Sequence, residues 1–280
     1  MTTTTGGSAG LGAWRREPAT QVLRARPLPD TAAAPFVIFA ESHVTGVPTE
    51  WEPHAHPMHE LVWVRNGTLT ARVGGRVFTV SQGSGLWLPA GELHAGRLTA
   101  KVELYDAFFA PEHTPAGFAR PMAIAMHPVL ESLLIHLGRR DLDAGARARA
   151  EAVVLDVMEP SPQQLFLPLP GDPRIDAIAE ALLADPADRR SLEEWARDRG
   201  SSVRTIARAF RTSTGLSFTQ WRQSLRIHHA LTLLAEGREV RETSDLLGYA
   251  QPSTFIDAFR RVMGATPGAY LEGLSAAADR

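Results

Sequence analysis

Between residues 36 and 110 the apolar positions come in short stretches, FVIFA, ELVWV, TLTARV, RVFTV, GLWLP and VELYDAFFA, separated by RNG at 65–67, GG at 74–75 and SQGSG at 81–85. Short apolar runs bounded by hairpin-type turns predict strands, about six to eight of them, closing into a small all-β barrel or sandwich. After Pro121 the period lengthens. HPVLESLLIHLGRR and DAGARARAEAVVLDVME have helical spacing, with Leu130, Leu133, Leu134 and Leu137 on one face that can pack on the barrel or on a second subunit. Residues 159–173, EPSPQQLFLPLPGDP, contain five prolines and no period, which predicts a linker. Beyond it every segment has helical spacing. The expected organisation is a flexible tail over 1–20, a β domain over 21–120, packing helices over 121–158, the linker, and an all-α domain over 174–275.

Within the last domain one pattern occurs twice. SLEEWARDRG followed by SSVRTIARAFRTSTG, and REVRETSDLLGYA followed by QPSTFIDAFRRVMGATP, each give a short helix, a turn near a glycine (Gly200, Gly248) and a second helix with a polar start. This is the helix-turn-helix pattern. In the first copy Val203, Ile206, Ala207 and Phe210 have core spacing, while Arg204, Arg208 and Arg211 share the opposite face. In the second, Phe255, Ala258, Phe259 and Val262 form the buried side, leaving Gln251, Ser253, Thr254 and Asp257 near the helix start, then Arg260 and Arg261. Asp257 can accept from a cytosine amino group or hold a neighbouring arginine. SFTQWRQSLRIHHALTLLAEG joins the copies as one helix of roughly 30 Å, long enough to set two reading helices about one DNA turn apart.

Charge sharpens this picture. The formal net charge is -2, yet Arg197 to Arg226 contains seven arginines against the single acid Asp198. Like charges on one face repel unless a partner supplies the opposite sign, and double-stranded DNA does so. The stretch RTIARAFRTSTGLSFTQWRQSLRIHHALTLLAEG, with LGYAQPSTFIDAFRR and the closing GATPGAY, resembles the DNA-binding domain of the AraC/XylS family of bacterial transcription regulators over about 172–273. Ser244 departs from the family's usual alanine. The resemblance implies promoter binding, with base contacts near Arg204, Thr205, Arg208, Ser253, Thr254 and Asp257, and a homodimer. LPLPGDPRID with SLEEWA and WRQSLR is similar to a subgroup that includes regulators of metal and iron homeostasis.

The chain has 280 residues and suits two domains; 44% hydrophobic and 21% charged residues describe a globular protein. Cysteine is absent, so disulfides and thiolate metal sites are excluded and any metal must sit on nitrogen and oxygen. No run approaches a membrane span and the start has no signal-like apolar core, which predicts a cytoplasmic protein without a membrane partner.

HAHPMHE, residues 54–60, is the remaining concentration of chemistry. On one strand His54, His56 and Glu60 have equal parity and face one way, and His94 arrives after the Pro-x-Gly of GSGLWLPAGELHAG. Three imidazoles and one carboxylate suit a borderline divalent transition metal, Zn, Ni, Fe, Mn or Cu. The spacing resembles the two motifs of the cupin family: His54, His56, Glu60 and Gly67, then Gly83, Pro89, Gly91 and His94, with the asparagine that often closes the second motif missing. The fold class expected is therefore α+β multidomain, a cupin-like β-barrel with packing helices ahead of an all-α domain with two helix-turn-helix motifs.

His59, of opposite parity, reads as a surface or supporting histidine; His43, His113, His127 and His136 read as isolated and ordinary. His228 and His229, among arginines, predict phosphate or solvent contact, and Trp51, Trp63 and Trp87 predict barrel core. The leading expectation is a one-component regulator sensing a divalent metal or metal-linked signal. The competitors are the same regulator sensing a small organic effector without metal, and a metal-dependent cupin enzyme.

Overall fold

The structure is a computed structural model that describes residues 19–24, 37–114, 116–139 and 141–278, so all but the end of the expected 1–20 tail lies outside the described residues. The strands are β1 (Gln21–Leu23), β2 (Ile38–Thr45), β3 (Thr49–His54), β4 (His59–Arg65), β5 (Thr68–Val73), β6 (Arg76–Ser81), β7 (Ser84–Leu88), β8 (His94–Leu98), β9 (Val102–Phe109), β10 (Met122–Ala125) and β11 (Phe166–Pro168). They form two sheets, one ordered β1-β3-β8-β5-β6-β11 and the other β10-β7-β4-β9-β2. The β5–β6 hairpin turns at Gly74 and Gly75, and β4 turns into β5 through Asn66 and Gly67, both at positive φ. At Gly67 a Cβ would lie 2.5 Å from Thr99 Oγ1 and 2.6 Å from Val102 Cγ2, so only glycine fits.

Alternation along the strands decides what each face covers. Val62, Val64, Leu69, Ala71, Val73, Phe78, Val80, Leu86, Leu88, Leu98, Val102 and Leu104 point between the sheets and form one core. The opposite parity of the five-stranded sheet, including Ile38, Leu61, Trp63, Trp87, Ala107 and Phe109, packs under helices α1 (Pro128–Leu137) and α2 (Ala144–Val157). Trp63 and Trp87 therefore face the helices rather than the barrel interior, while half-buried Trp51 packs at the interior core. Leu130, Leu134 and Leu137 are consumed by this packing and are 0 to 1% exposed, so that face is not free for a second subunit as the sequence allowed.

Strand β10 follows Pro121 and pairs with β7, so the sheet continues past the point where helical spacing was expected to take over. The proline-rich segment is also not a free linker. Its residues 166–168 form β11, antiparallel to β6, and Leu167 is fully buried. With only three strand residues and prolines around them, no alternation was there to announce a strand.

The all-α part contains α3 (Asp176–Ala184), α4 (Leu192–Asp198), α5 (Val203–Thr214), α6 (Phe218–Ala235), α7 (Val240–Leu246), α8 (Pro252–Met263) and α9 (Pro267–Ala278). Its boundaries are written locally. Ser191 with Glu194 and Ser217 with Gln220 make capping boxes, Ser202 caps α5 through the Thr205 N–H, and Gly215 and Gly264 end α5 and α8 in the left-handed conformation. Helix α6, 18 residues and about 27 Å long, is the shared spine. Phe218, Trp221 and Leu225 pack with α3, α4 and α5, whereas Ile227, Ala230, Leu231 and Leu234 pack with α8.

Candidate functional site: a histidine cluster in the barrel and two exposed helices

His54 ends β3 and Glu60 lies on β4, and these strands belong to different sheets. The HAHPMHE segment thus crosses from one sheet to the other instead of continuing as a single strand, which corrects the parity argument while keeping the convergence. Glu60 shares the inward parity of Val62 and Val64. His94, at the start of β8, sits opposite His54 in the β3–β8 pair.

The ligand atoms of His56, Glu60 and His94 all lie within 4.8 Å of one another. His56 Nε2 is 2.9 Å and His94 Nε2 3.5 Å from Glu60 Oε2. His54 stands beside them, its ring centroid 4.2 Å from that of His94 and 6.2 Å from that of His56, outside the closest triad. Each of the three imidazoles turns Nδ1 onto a backbone carbonyl: His54 onto Glu52 at 2.8 Å, His56 onto Met58 at 2.7 Å and His94 onto Glu92 at 2.9 Å. A carbonyl only accepts, so Nδ1 carries the proton and, in a neutral ring, Nε2 keeps its lone pair. That is how metal-binding imidazoles are held. His59 differs. Its Nδ1 accepts from the Ala90 N–H at 2.9 Å, which ties β4 to the loop that delivers His94.

Electrostatics inside the cluster are divided. Burial opposes charge on His56, yet the hydrogen bond and the charge of Glu60 outweigh it and raise its pKa. Glu60 is likewise lowered against its burial by His56, His94 and His54. His94 is pulled down to about 4, chiefly by burial, and stays neutral. One proton on His56 bridges to Glu60 where a cation held by the same lone pairs and carboxylate would otherwise sit. His43, read from the sequence as isolated, is grouped by the fold with Glu41 and the buried Asp106 next to Glu60, two carboxylates that the sequence reading had not singled out.

In the helical half the turns fall at Gly200 and Gly248, both at positive φ. A Cβ on Gly248 would lie 2.6 Å from the Ala187 carbonyl oxygen. On α5 the buried residues are Ile206, Ala209 and Phe210; Val203, expected in the core, is 37% exposed, and Ala207 is half-buried. Arg204, Arg208 and Arg211 are exposed, and among the described residues no ion pair engages them. Arg190 and Arg238 of the same half do have acidic partners. Thr205 is half-buried, its hydroxyl 2.9 Å from that of Ser202 in the helix cap.

The basic stripe is narrower than its sequence. Arg226 is 9% exposed and donates to the carbonyls of Pro186 and Asp188, and Arg222 donates to that of Arg190, so both brace the fold. On α8 Phe255, Ala258 and Phe259 are buried, Val262 is half-buried, and Gln251, Ser253, Thr254, Asp257, Arg260 and Arg261 are exposed. Asp257 Oδ1 accepts from Arg260 at 3.0 Å, so it holds an arginine, and Arg261 reaches Gln223 on α6. His228 is not a phosphate contact. It is 4% exposed, against Thr79 of the barrel, and His229 is half-buried.

Comparison with known proteins places both halves. Residues 48–112 match the family model described as an AraC-like ligand binding domain, and residues 195–273 match one described as a helix-turn-helix domain. The HTH-type transcriptional regulator NimR of Escherichia coli (strain K12) is 30% identical over 248 residues, covering 87% of this chain and 89% of the relative. The HTH-type transcriptional regulator RipA of Corynebacterium glutamicum is 31% identical over 227 residues, covering 76% of this chain and 62% of the relative. Among solved structures, unsaturated fatty acid bound ToxT from Vibrio cholerae is 12% identical with a TM-score of 0.35, covering 84% of this chain and 94% of that one. These relatives are transcriptional regulators, not enzymes.

Proposed function

Because this chain belongs to the AraC family, a family of DNA-binding transcriptional regulators with a ligand-binding domain, we propose that its barrel senses a divalent transition metal. His56, Glu60 and His94 would hold the ion and His54 would join from the rim. The observation that carries this is the common orientation of the imidazoles, Nδ1 spent on carbonyls, with Nε2 of His56 and His94 beside the Glu60 carboxylate. The donors, nitrogen with one carboxylate oxygen, fit Zn²⁺, Ni²⁺, Fe²⁺, Mn²⁺ or Cu²⁺.

The ion would link β3 and β8 of one sheet to β4 of the other. The outer face of the six-stranded sheet is where the helical half docks, through β6, β11 and α6. Metal binding would therefore bias the seam between the halves, and through it the presentation of α5 and α8. It acts on transcription only as far as it binds the DNA-competent and DNA-incompetent arrangements unequally. Base reading is assigned to Arg204 and Arg208 of α5 and to Ser253 and Thr254 of α8, with Arg211, Gln251, Arg260 and Arg261 at phosphates.

The test is the elemental metal content of the purified protein beside a His54→Ala, His56→Ala, His94→Ala variant, after dialysis without strong chelator. Near-stoichiometric metal in the parent, lost in the variant, is expected. No metal in either, with each candidate ion offered in turn, overturns the metal reading.

A second reading, an uncharged organic effector, is favoured by a cavity of about 330 Å³ between the halves, with Thr79, Ser81, Gln163, Leu231 and Tyr270 among its lining and no charged side chain among the described residues that line it. Its size falls in the range of small-molecule sites. Response to an organic ligand that survives loss of the three histidines would support it.

A further inference from the structure

Strand β9 carries a buried carboxyl, Asp106, that lies against Glu60 of the histidine cluster and faces a second group of ligand atoms on β2. Asp106 is 6% exposed, has the inward parity of Val102 and Leu104, and is the register partner of Glu41 on β2 and of Val62 on β4. His43 lies two residues along β2 from Glu41 and so shares its face. The ligand atoms of Glu41, His43 and Asp106 all lie within 4.8 Å of one another, and Glu41 Oε1 is 3.2 Å from His43 Nε2. Two ligand atoms on one divalent ion at about 2.1 Å are separated by roughly 3.0 to 3.5 Å, so this pair is already spaced for a shared ion.

We propose that Glu41, His43 and Asp106 form a second divalent-cation site, next to the His56, Glu60 and His94 cluster and beside β2, the last strand of its sheet among the described residues. The three residues differ in burial in a way that suits the role. Asp106 supplies a fixed carboxylate from the interior, while the Glu41 and His43 side chains, 33% and 38% exposed, close on the ion from solvent and leave room for water ligands. Two carboxylates and one imidazole favour a harder ion than the imidazole-rich cluster does, with Mn²⁺ a better match than Cu²⁺.

The site stands on its own residues and does not depend on the metal reading of the histidine cluster. Mn²⁺ alone is the probe, offered to the full-length protein and counted as bound ion per chain by equilibrium dialysis and paramagnetic resonance. A Glu41→Gln, His43→Ala variant, altered only at partly exposed positions, is expected to lose one equivalent that a His56→Ala, His94→Ala variant retains. Thermal melting of both variants without added metal checks that they fold. If the Glu41→Gln, His43→Ala variant binds as much Mn²⁺ as the parent, or the parent binds none, the second site is overturned. Loss confined to the His56→Ala, His94→Ala variant would likewise overturn it while leaving the first cluster intact.

Discussion

Thr79 on β6 and His228 on α6, 149 residues apart in the chain, meet in the seam between barrel and helical half with Oγ1 2.7 Å from Nδ1. Thr68 Oγ1 and Thr232 Oγ1 lie 3.4 Å apart along the same seam, and Val77 enters the core of the helical half. The outward parity of β5 and β6 is thus covered by α6 instead of water.

Burial pulls His228 down to about 3, and His229 to about 4 with help from Arg97. A group depressed in the docked state binds more protons once released, so docking weakens as pH falls below about 6.5, through the window toward 3. A His228→Gln variant is expected to show a flatter fall in thermal stability between pH 6.5 and 4 than the parent. Identical pH profiles would mean that His228 does not titrate with undocking.

Truncating Arg204 or Arg208 to Ala is expected to cost about 1 to 3 kcal/mol of operator affinity and to relax preference at one base pair. Arg226→Ala should behave differently. It removes a buried guanidinium bonded to two carbonyls, and is expected to lower folding stability by about 2 kcal/mol. Operator titrations and denaturant unfolding on all three variants separate the roles; a stable Arg226→Ala with weakened DNA binding would return that residue to the DNA surface.

Asp257→Asn releases Arg260 and removes a negative charge from the start of α8. Since Asp257 is occupied by Arg260, the variant is expected to bind all DNA sequences more tightly, with a steeper salt dependence. Loss of discrimination at a single base pair would instead make Asp257 a reader of cytosine.

On the far side of the barrel Arg147 donates to the carbonyls of Ile38, Leu137 and Arg139, and Glu151 accepts from the Ile38 N–H. Both residues are buried. Arg147→Ala leaves the Glu151 charge and three carbonyls short of a donor, and about 3 kcal/mol of stability should be lost. Calorimetric melting of the variant checks this, with a shift of only a degree or two counting against the anchor.

What the sequence determined by itself was whatever neighbours along the chain decide. Short apolar runs between turn signals marked FVIFA, ELVWV and RVFTV as strands, and caps such as Ser191 with Glu194 bounded helices from a few adjacent residues. The two helix-turn-helix copies repeat their glycine turns, so the exposed arginines of α5 could be placed without any tertiary knowledge. The histidine cluster was legible as a set of residues but not as a geometry: His54 and Glu60 lie on different sheets, which no parity count along one strand reveals. Only the tertiary structure decided which polar groups are spent inside the fold. Arg226 looked like part of a DNA surface, His228 like a phosphate contact and residues 166–168 like linker, because each owes its role to a partner far away in sequence: the carbonyls of the α3–α4 loop, Thr79 and β6. Burial and pairing are properties of what packs on top, and the chain's local pattern carries no record of that.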